Sequence, residues 1–267
     1  MSAGASDWDP AHYLRFGDER SRPFVDLLAR VPGTPRTVLD LGVGPGHLVA
    51  AIHARWPDAV VTGVDSSPAM VERARAEHGD EAEFVLADLR EHVPGAVPDL
   101  VVSNAALQWV PGHLDVLARW RDLLAAGAGA TPSGRTIAVQ VPANQDAPSH
   151  TLLDELASAE PYARWTAGTA RVHVHRAEEY LEVLAQPGWT VDAWETTYLH
   201  VLQGPDPVFR WISSTGARPV LAALPDDVRP AFEEEYRARL REAYPERRYG
   251  TVLPFRRSFV VATAGGR

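Results

Sequence analysis

The stretch VLDLGVGPG, residues 38–46, decides the fold of this chain. Its apolar start predicts a buried strand, and three glycines follow at every second position: Gly42, Gly44 and Gly46. A helical pattern begins at residue 48. Glycine lets the backbone turn tightly and lets a ligand approach with no Cβ in the way. The stretch therefore predicts a strand, a ligand-binding turn and a helix that opens beside the ligand.

The spacing of the glycines separates two classes of cofactor. A nicotinamide site is typically G-x-G-x-x-G, with the pyrophosphate on the helix N-terminus. Here the pattern is G-x-G-x-G, and His47 stands where the last dinucleotide glycine belongs. Asp40 lies in the end of the strand, where a carboxylate can engage an ammonium group directly or through water. S-adenosylmethionine has an α-ammonium and no phosphate, so it is the predicted cofactor and S-adenosylhomocysteine the predicted product.

Around this stretch, short apolar runs alternate with helical patterns, which is typical of βαβ units and a parallel sheet. The predicted strands are 37–41, 60–64, 84–87, 100–103 and 136–141. The predicted helices are 19–30, 48–55, 68–78 and 113–124. The Gly-rich segment 125–134 is predicted as a lengthened loop.

Three more strand ends carry polar groups. Asp65 ends the second strand, about twenty residues after the glycines, where a carboxylate accepts hydrogen bonds from ribose hydroxyls. Asp88 ends the third, where it can accept from the adenine amino group or cap a helix. Asn104 and Ala105 end the fourth. Ligands bind at the carboxyl ends of strands in open α/β sheets, so we expect these groups to surround one site.

Composition narrows the function classes. The formal net charge of −9 disfavours a general electrostatic affinity for nucleic acid. The chain has no cysteine and no lysine, which excludes thiolate, disulfide and Schiff-base chemistry. We find no apolar run of membrane-spanning length and no secretory signal pattern, so a cytoplasmic location is expected. No membrane, nucleic acid or obligate protein partner is expected.

After residue 142 the pattern becomes mainly helical. Helices are predicted at 149–160, 177–185, 207–214 and 226–244, and strands at 189–202 and 255–263. The fold class is α/β: a Rossmann-like, seven-stranded, mostly parallel sheet with helices on both faces and a helical cap. We predict one domain, 1–267, with cap elements at about 145–187 and 205–247.

Seven segments together resemble the class I S-adenosylmethionine-dependent methyltransferases. They are WDPAHY (8–13), DERSRP (18–23), LDLGVGPGH (39–47), GVDSSPAMV (63–71), SNAALQWVPGH (103–113), VQVPANQDAPSH (139–150) and LPFRRSFVVA (253–262). The SNAALQW and VQVP segments are narrower and resemble the group that methylates trans-aconitate. Val43, where that group usually has Cys, and the long loop 125–134 depart from its pattern.

The resemblance implies roles for further residues. Tyr13 and Arg22 are expected over the methionine end of the donor, or else in an exposed N-terminal segment. Met70 is expected near the adenosine. Gln108 and Trp109 are expected to border the methyl-transfer cavity, although a role for Trp109 as a core aromatic is nearly as well supported. The whole predicted cofactor set is Tyr13, Arg22, Asp40, Gly42, Gly44, Gly46, Asp65, Ser66, Met70, Asp88, Leu89, Asn104, Ala105 and Gln108.

The implied reaction is methyl transfer to a carboxylate of a small polycarboxylic acid, with trans-aconitate as the expected acceptor. A carboxylate is ionised at neutral pH, so no general base is needed and no single catalytic residue is certain. The candidates for contact with the acceptor are Arg20, Trp109, His113, Trp211, Arg256 and Arg257. Each also has an ordinary explanation as a surface or packing residue. The pair His173 and His175 lacks a third ligand, which disfavours a metal site.

Other functions remain open, because fold and donor motif do not fix the acceptor. Another small carboxylic acid or a hydroxyl metabolite can serve as acceptor, and a hydroxyl group would require a base such as His113. A nicotinamide oxidoreductase is disfavoured by the glycine spacing. A protein that binds S-adenosylmethionine without turnover has the same donor motif.

Overall fold

A computed structural model describes residues 17–126, 134–169 and 174–265, with side chains described from residue 21 onward. The chain divides into two compact units, whereas the sequence predicts one domain. The first unit comprises Met1–Pro142, His175–Thr196 and Ser258–Arg267, and the second comprises Ala143–Val174 and Thr197–Arg257. The predictions for Tyr13, the Arg20 side chain and His173 fall outside the described residues, as does most of the loop 125–134.

One sheet has the strand order β3-β2-β1-β4-β5-β8-β6, with β7 paired to β8. Its strands are β1 Thr37–Leu41, β2 Val60–Asp65, β3 Glu83–Leu86, β4 Leu100–Asn104, β5 Arg135–Pro142, β6 Trp189–Leu202, β7 Glu246–Arg247 and β8 Gly250–Ala264. The first five strands pair in parallel. The order reverses between β1 and β4, and such a reversal opens a crevice at the carboxyl ends of the strands.

The described sheet has eight strands rather than the predicted seven. The addition is β7, which spans two residues and pairs antiparallel with the start of β8. Both of its residues are exposed, so no apolar alternation in the sequence indicates a strand there.

The helices match the predicted pattern closely in the first half of the chain. They are α1 Gly17–Arg30, α2 Val49–Arg55, α3 Pro68–His78, α4 His113–Ala126, α5 Pro148–Ser158, α6 Ala163–Thr166, α7 Ala177–Leu184, α8 Pro207–Ser213, α9 Arg218–Ala223 and α10 Arg229–Ala243, with a 3₁₀ turn at Leu107–Trp109. The sequence analysis missed α6 and α9, because four and six residues are too short to show a helical period.

Helix α7 corrects the predicted boundary of the cap. Tyr180 and Leu184 are buried in the apolar core of the first unit, together with Leu117 and Trp120 of α4. Residues 177–187 were expected in the cap, yet their apolar face packs on the sheet-bearing unit, so they belong to it.

The second unit has its own packing around α10. Phe232, Tyr236 and Leu240 recur every four residues along this helix and are buried. The Tyr236 hydroxyl donates to the carbonyl of Ser149, and the Tyr244 hydroxyl accepts from the Ser149 amide at 3.0 Å. The buried face of α10 is therefore a packing surface, and the hydroxyls of Tyr236 and Tyr244 connect this part of the chain to α5.

Among the described residues, no helix is long and apolar enough to cross a membrane.

Candidate active site

The glycine turn after β1 has a backbone that only glycine adopts without strain. Gly42, Gly44 and Gly46 have φ of +82°, +59° and +82°. A Cβ on Gly42 would lie 2.1 Å from the Cβ of Ala106, whereas one on Gly44 would meet no atom within 4 Å. Gly42 therefore allows the turn to contact the loop after β4, and Gly44 leaves open space for a ligand.

Asp65, at the end of β2, joins this turn to the start of α3. One carboxylate oxygen accepts from the Gly44 amide and the other from the Ser67 amide, both at 2.9 Å. Burial raises the pKa of Asp65, and the backbone donors of Ser67, Gly44 and Ser66 oppose that rise. Each carboxylate oxygen has more than one acceptor site, so Asp65 can hold the turn and still accept from ligand hydroxyls.

Asp40, at the end of β1, is almost completely buried. Burial is the larger cause that raises the pKa of this carboxyl to about 7, and the charge of Asp65 is the second. A cation near β1 would favour the ionised form. Binding of a positively charged ligand nearby would therefore lower the pKa of Asp40.

The loop after β4 contains a strained residue. Ala105 has φ of +54°, which is unusual for a residue with a side chain. Its amide donates to the carbonyl of Gln140 at 2.9 Å, and its carbonyl accepts from Nε2 of Gln108 at 2.7 Å. Strain of this kind persists where surrounding contacts fix it, and it clusters at ligand sites.

These strand ends surround a cavity of about 590 Å³ in the first unit, which suits a small molecule or cofactor. It is lined by Gly42, Val43, Gly44, Pro45, His47, Leu48, Asp65, Ser66, Met70, Asp88, Leu89, Arg90, Asn104, Ala105, Ala106, Trp109, Val110 and Pro111. Ten of the residues predicted to bind cofactor or acceptor are in this lining. Asp40, Gly46, Gln108, Arg22 and His113 are not.

Arg90 was missed by the sequence analysis. Its guanidinium donates to both oxygens of Asp88, at 3.0 Å from Nε and 2.5 Å from a terminal nitrogen. This pairing holds the pKa of Asp88 below its ordinary value. A ligand amino group at Asp88 must therefore share a carboxylate that Arg90 already engages. The signal available in the sequence was that Arg90 follows Asp88 by two positions, which is close enough for the two side chains to pair.

His113 is fully buried and does not line the cavity. Its Nδ1 lies 3.2 Å from the carbonyl of Val110, and its Nε2 lies 2.8 Å from the Tyr180 hydroxyl. A carbonyl can only accept, so Nδ1 carries the proton and Nε2 accepts from the phenol. His113 thus ties Val110, a residue of the cavity wall, to α7, and its ring nitrogens are engaged there.

The predicted acceptor residues of the second unit have partners within that unit. Trp211 is buried and stacks on His200 with a centroid distance of 4.7 Å. Arg256 donates to the carbonyl of Ala143 and to the carboxylate of Asp146, each at 2.7 Å. The guanidinium of Arg257, also buried, lies 4.8 Å from the ring centroid of Phe255.

Within the described part of the chain, no group of three His, Asp or Glu side chains could hold a metal ion. Arg22 is exposed in α1.

Comparison with known proteins places the chain among methyltransferases. A family model described as "Methyltransferase domain" matches residues 38–127. The trans-aconitate 2-methyltransferase of Streptomyces avermitilis is 50% identical over 98% of both chains. That of Rhodococcus jostii is 50% identical over 96% of this chain and 98% of its own. The one from Mycobacterium tuberculosis is 45% identical over 97% of both.

Solved structures share the fold at lower identity. A methyltransferase in complex with the Haloferax volcanii Trm112 activator has a TM-score of 0.56 and 21% identity, covering 94% of this chain and 92% of its own. The [4+2]-cyclase SpnF has a TM-score of 0.55 and 15% identity, covering 98% and 88%.

The strand order, the glycine turn and the matching domain model define a Rossmann-like, class I methyltransferase that uses S-adenosylmethionine. The cavity fits this donor, because Gly44 leaves open space where a side chain would project and Asp65 retains acceptor capacity. Within that class, the identity over nearly the whole chain is decisive. The chain belongs to the trans-aconitate 2-methyltransferase family.

Proposed function

We propose that this protein transfers a methyl group from S-adenosylmethionine to a carboxylate of a small polycarboxylic acid, trans-aconitate. The observation that carries the proposal is the 50% identity to the Streptomyces avermitilis enzyme over 98% of both chains. The match extends over both units, so the proposal covers the acceptor as well as the donor.

The donor lies along the strand ends in this proposal. Asp65 accepts from the ribose hydroxyls, Asp88 from the adenine amino group, and buried Asp40 balances the α-ammonium. Met70 contacts the adenosine, and Trp109 is placed beside the transferred methyl group. All of these except Asp40 line the cavity, which supports one extended ligand across β2, β3 and β4.

When bound, the donor supplies a methyl group on a positively charged sulfur. An acceptor carboxylate oxygen forms a bond to the methyl carbon while the carbon–sulfur bond breaks, and the electron pair stays on sulfur. No proton moves, so the chain needs to align the two ligands and exclude water rather than provide a base. The positions of the ring nitrogens of His113 are consistent with this, because Val110 and Tyr180 engage them.

The acceptor residues remain predictions. Arg20, Trp109, His113, Trp211, Arg256 and Arg257 were expected to contact the acid. Trp109 has the strongest support, because it lines the cavity. We also propose that the protein works in the cytoplasm without an obligate protein or nucleic-acid partner, in keeping with its lack of cysteine and its net charge of −9.

The test is to incubate the purified protein with S-adenosylmethionine and a panel of acids: trans-aconitate, cis-aconitate, isopropylmalate, itaconate and simple fatty acids. S-adenosylhomocysteine and the methyl ester are measured by mass spectrometry. We expect product with trans-aconitate well above the others. Donor binding with no ester from any acid would refute the proposed substrate class.

A variant of His113 tests whether the acceptor group is a carboxylate or a hydroxyl. His113→Gln should keep most of kcat per folded molecule if the acceptor is already ionised. Loss of a general base would instead lower kcat about 100-fold or more. Circular dichroism gives the folded fraction, because His113 is a buried residue.

A non-catalytic donor-binding protein is the second candidate. The glycine turn and the strand-end carboxylates do not distinguish it, because a protein without turnover can carry the same donor-binding residues. Binding of S-adenosylhomocysteine without turnover on carboxylic or hydroxyl acceptors would favour it.

A further inference from the structure

A buried pair of amide side chains connects β4 to β5 beside the cavity. Nε2 of Gln140 donates to Oδ1 of Asn104 at 2.6 Å, and these two residues are direct partners in the parallel register. Gln140 is completely buried, whereas Asn104 lines the cavity. The sequence analysis assigned no role to Gln140.

This contact fixes which end of the Asn104 amide remains for a ligand. A carboxamide has one acceptor oxygen and one donor nitrogen, and here Gln140 takes the oxygen. Within the described residues, that bond is the one protein hydrogen bond of the Asn104 side chain. The N–H groups therefore remain for the cavity.

The backbone that follows Asn104 is also held in place. The amide of the next residue, Ala105, donates to the carbonyl of Gln140. The carbonyl of Ala105 accepts from the side chain of Gln108. Gln140 thus holds both the side chain of Asn104 and the backbone that follows it.

The charges of the cavity define what such a donor can bind. The β2 and β3 side presents the carboxylates of Asp65 and Asp88, and Arg90 is paired with Asp88. An anionic group of a ligand is repelled from that side. The neutral N–H donor at the end of β4 is the favourable place for it.

We infer that Gln140 is a positioning residue that orients the Asn104 amide so that its N–H donates to a ligand carboxylate. The carboxylate belongs either to the amino-acid end of the donor or to the acceptor. The inference rests on the proposed function for the identity of these two ligands. Asn104 makes the contact, and Gln140 acts through it.

The first experiment uses calorimetry to measure how much the carboxylate of the donor contributes to binding affinity. S-adenosylhomocysteine is compared with S-adenosyl-3-thiopropylamine, which lacks only the carboxylate. Gln140→Met has a side chain of similar volume with no amide. In this variant we expect the affinity for S-adenosylhomocysteine, divided by that for the amine, to fall about tenfold. The amine should bind wild type and variant equally, which a general loss of structure would not produce.

Two further variants sharpen this readout. Asn104→Asp replaces the N–H by an oxygen, so the ratio should fall further than in Gln140→Met. Thr136→Val is the matched control, because Thr136 is a buried residue on the same face of β5 whose hydroxyl lies 3.2 Å from that of Thr263. It should leave the ratio at the wild-type value and show the effect of losing a buried hydrogen bond elsewhere on the strand.

The second experiment measures the KM and kcat for trans-aconitate, the proposed acceptor. An unchanged donor ratio in Gln140→Met, with a KM for trans-aconitate raised about tenfold at constant kcat, assigns the carboxylate to the acceptor. An unchanged ratio with an unchanged KM overturns the inference. If wild-type protein does not methylate trans-aconitate, the proposed function fails; the donor ratio then decides alone, and an unchanged ratio overturns the role of Gln140.

Discussion

The two units each contain a cavity, and the cavities differ in the state of their polar groups. In the first unit, Asp65 is held by backbone amides, and Asn104 keeps its N–H groups for a ligand. In the second, a cavity of about 380 Å³ is lined by Asp206, Arg237 and Arg241.

The charges of the smaller cavity are engaged with one another. Arg241 donates to both oxygens of Asp206, at 2.7 and 2.9 Å, and Arg237 donates to Glu233 at 2.6 Å. The hydrogen bond from Arg241 is the largest cause that lowers the pKa of Asp206, and the charges of Arg241, Arg237 and Arg210 add to it. A ligand would have to break ion pairs to bind here, whereas in the larger cavity it would complete hydrogen bonds. The comparison predicts that donor binding depends on the polar groups of the larger cavity. Loss of the ion pairs in the smaller cavity should not change it.

The largest expected effect comes from closing the turn that shapes the larger cavity. Gly42→Ala places a methyl group 2.1 Å from the Cβ of Ala106 at a positive φ, so the free energy of unfolding should fall by about 3 kcal/mol or more. Urea denaturation measures it. Gly95→Ala is the control, because a Cβ there meets no atom within 4 Å. Equal stability of the two variants would show that the turn is not constrained as described.

The next effect tests the two cavities against each other. Asp65→Ala removes the acceptor for two backbone amides and for the ligand hydroxyls, so affinity for S-adenosylhomocysteine should fall about 50-fold. Asp206→Ala removes the corresponding carboxylate of the smaller cavity and should leave that affinity unchanged. Calorimetry on both variants is the measurement. A comparable loss in Asp206→Ala would contradict the distinction between them.

A smaller effect follows from the protonation of Asp40. Its pKa of about 7 means that the carboxyl is neutral below that pH in the free protein, because burial disfavours the charge. A cationic donor favours the ionised form of Asp40. The affinity for S-adenosylmethionine should therefore fall by up to tenfold per pH unit as the pH decreases below 7, and it should level off above pH 7. Calorimetry between about pH 5.5 and 7 gives the slope. Asp40→Asn should flatten it, and a slope that persists in this variant would assign the titration to another group.

The smallest effect concerns the competition at Asp88. Arg90→Ala releases the carboxylate for the adenine amino group, so the affinity for S-adenosylhomocysteine should rise about two- to threefold, as expected for an exposed ion pair. A loss of affinity would instead indicate that Arg90 itself contacts the donor. Arg239→Ala, which removes an exposed ion pair with Glu235 on α10, is the control and should change nothing.

Sequence patterns could predict the parallel half of the fold because its signals are local. The bounds of β1 and α3 agree with the predicted 37–41 and 68–78, and Asp65, Asp88 and Asn104 do line one cavity. Strands buried on both faces and glycine turns are visible in short windows. The two-residue β7 and the short helices α6 and α9 have no such signal.

The rest depends on contacts between distant residues. The pairing of Gln140 with Asn104 joins positions 36 residues apart, and the bond of His113 to Tyr180 joins positions 67 apart. Neither partner is indicated by the residues around the other. The sequence therefore suggested His113 as a base, whereas its surroundings make it a support for the cavity wall.

The division of the chain also bears on how such proteins diversify. The second unit consists of two insertions, Ala143–Val174 and Thr197–Arg257, in a chain that returns to the first unit after each. Mutations, duplications or exchanges confined to those two segments can alter one unit while the glycine turn and strand ends stay intact. Evolution can therefore act on the two units of such a protein separately, although they share one chain.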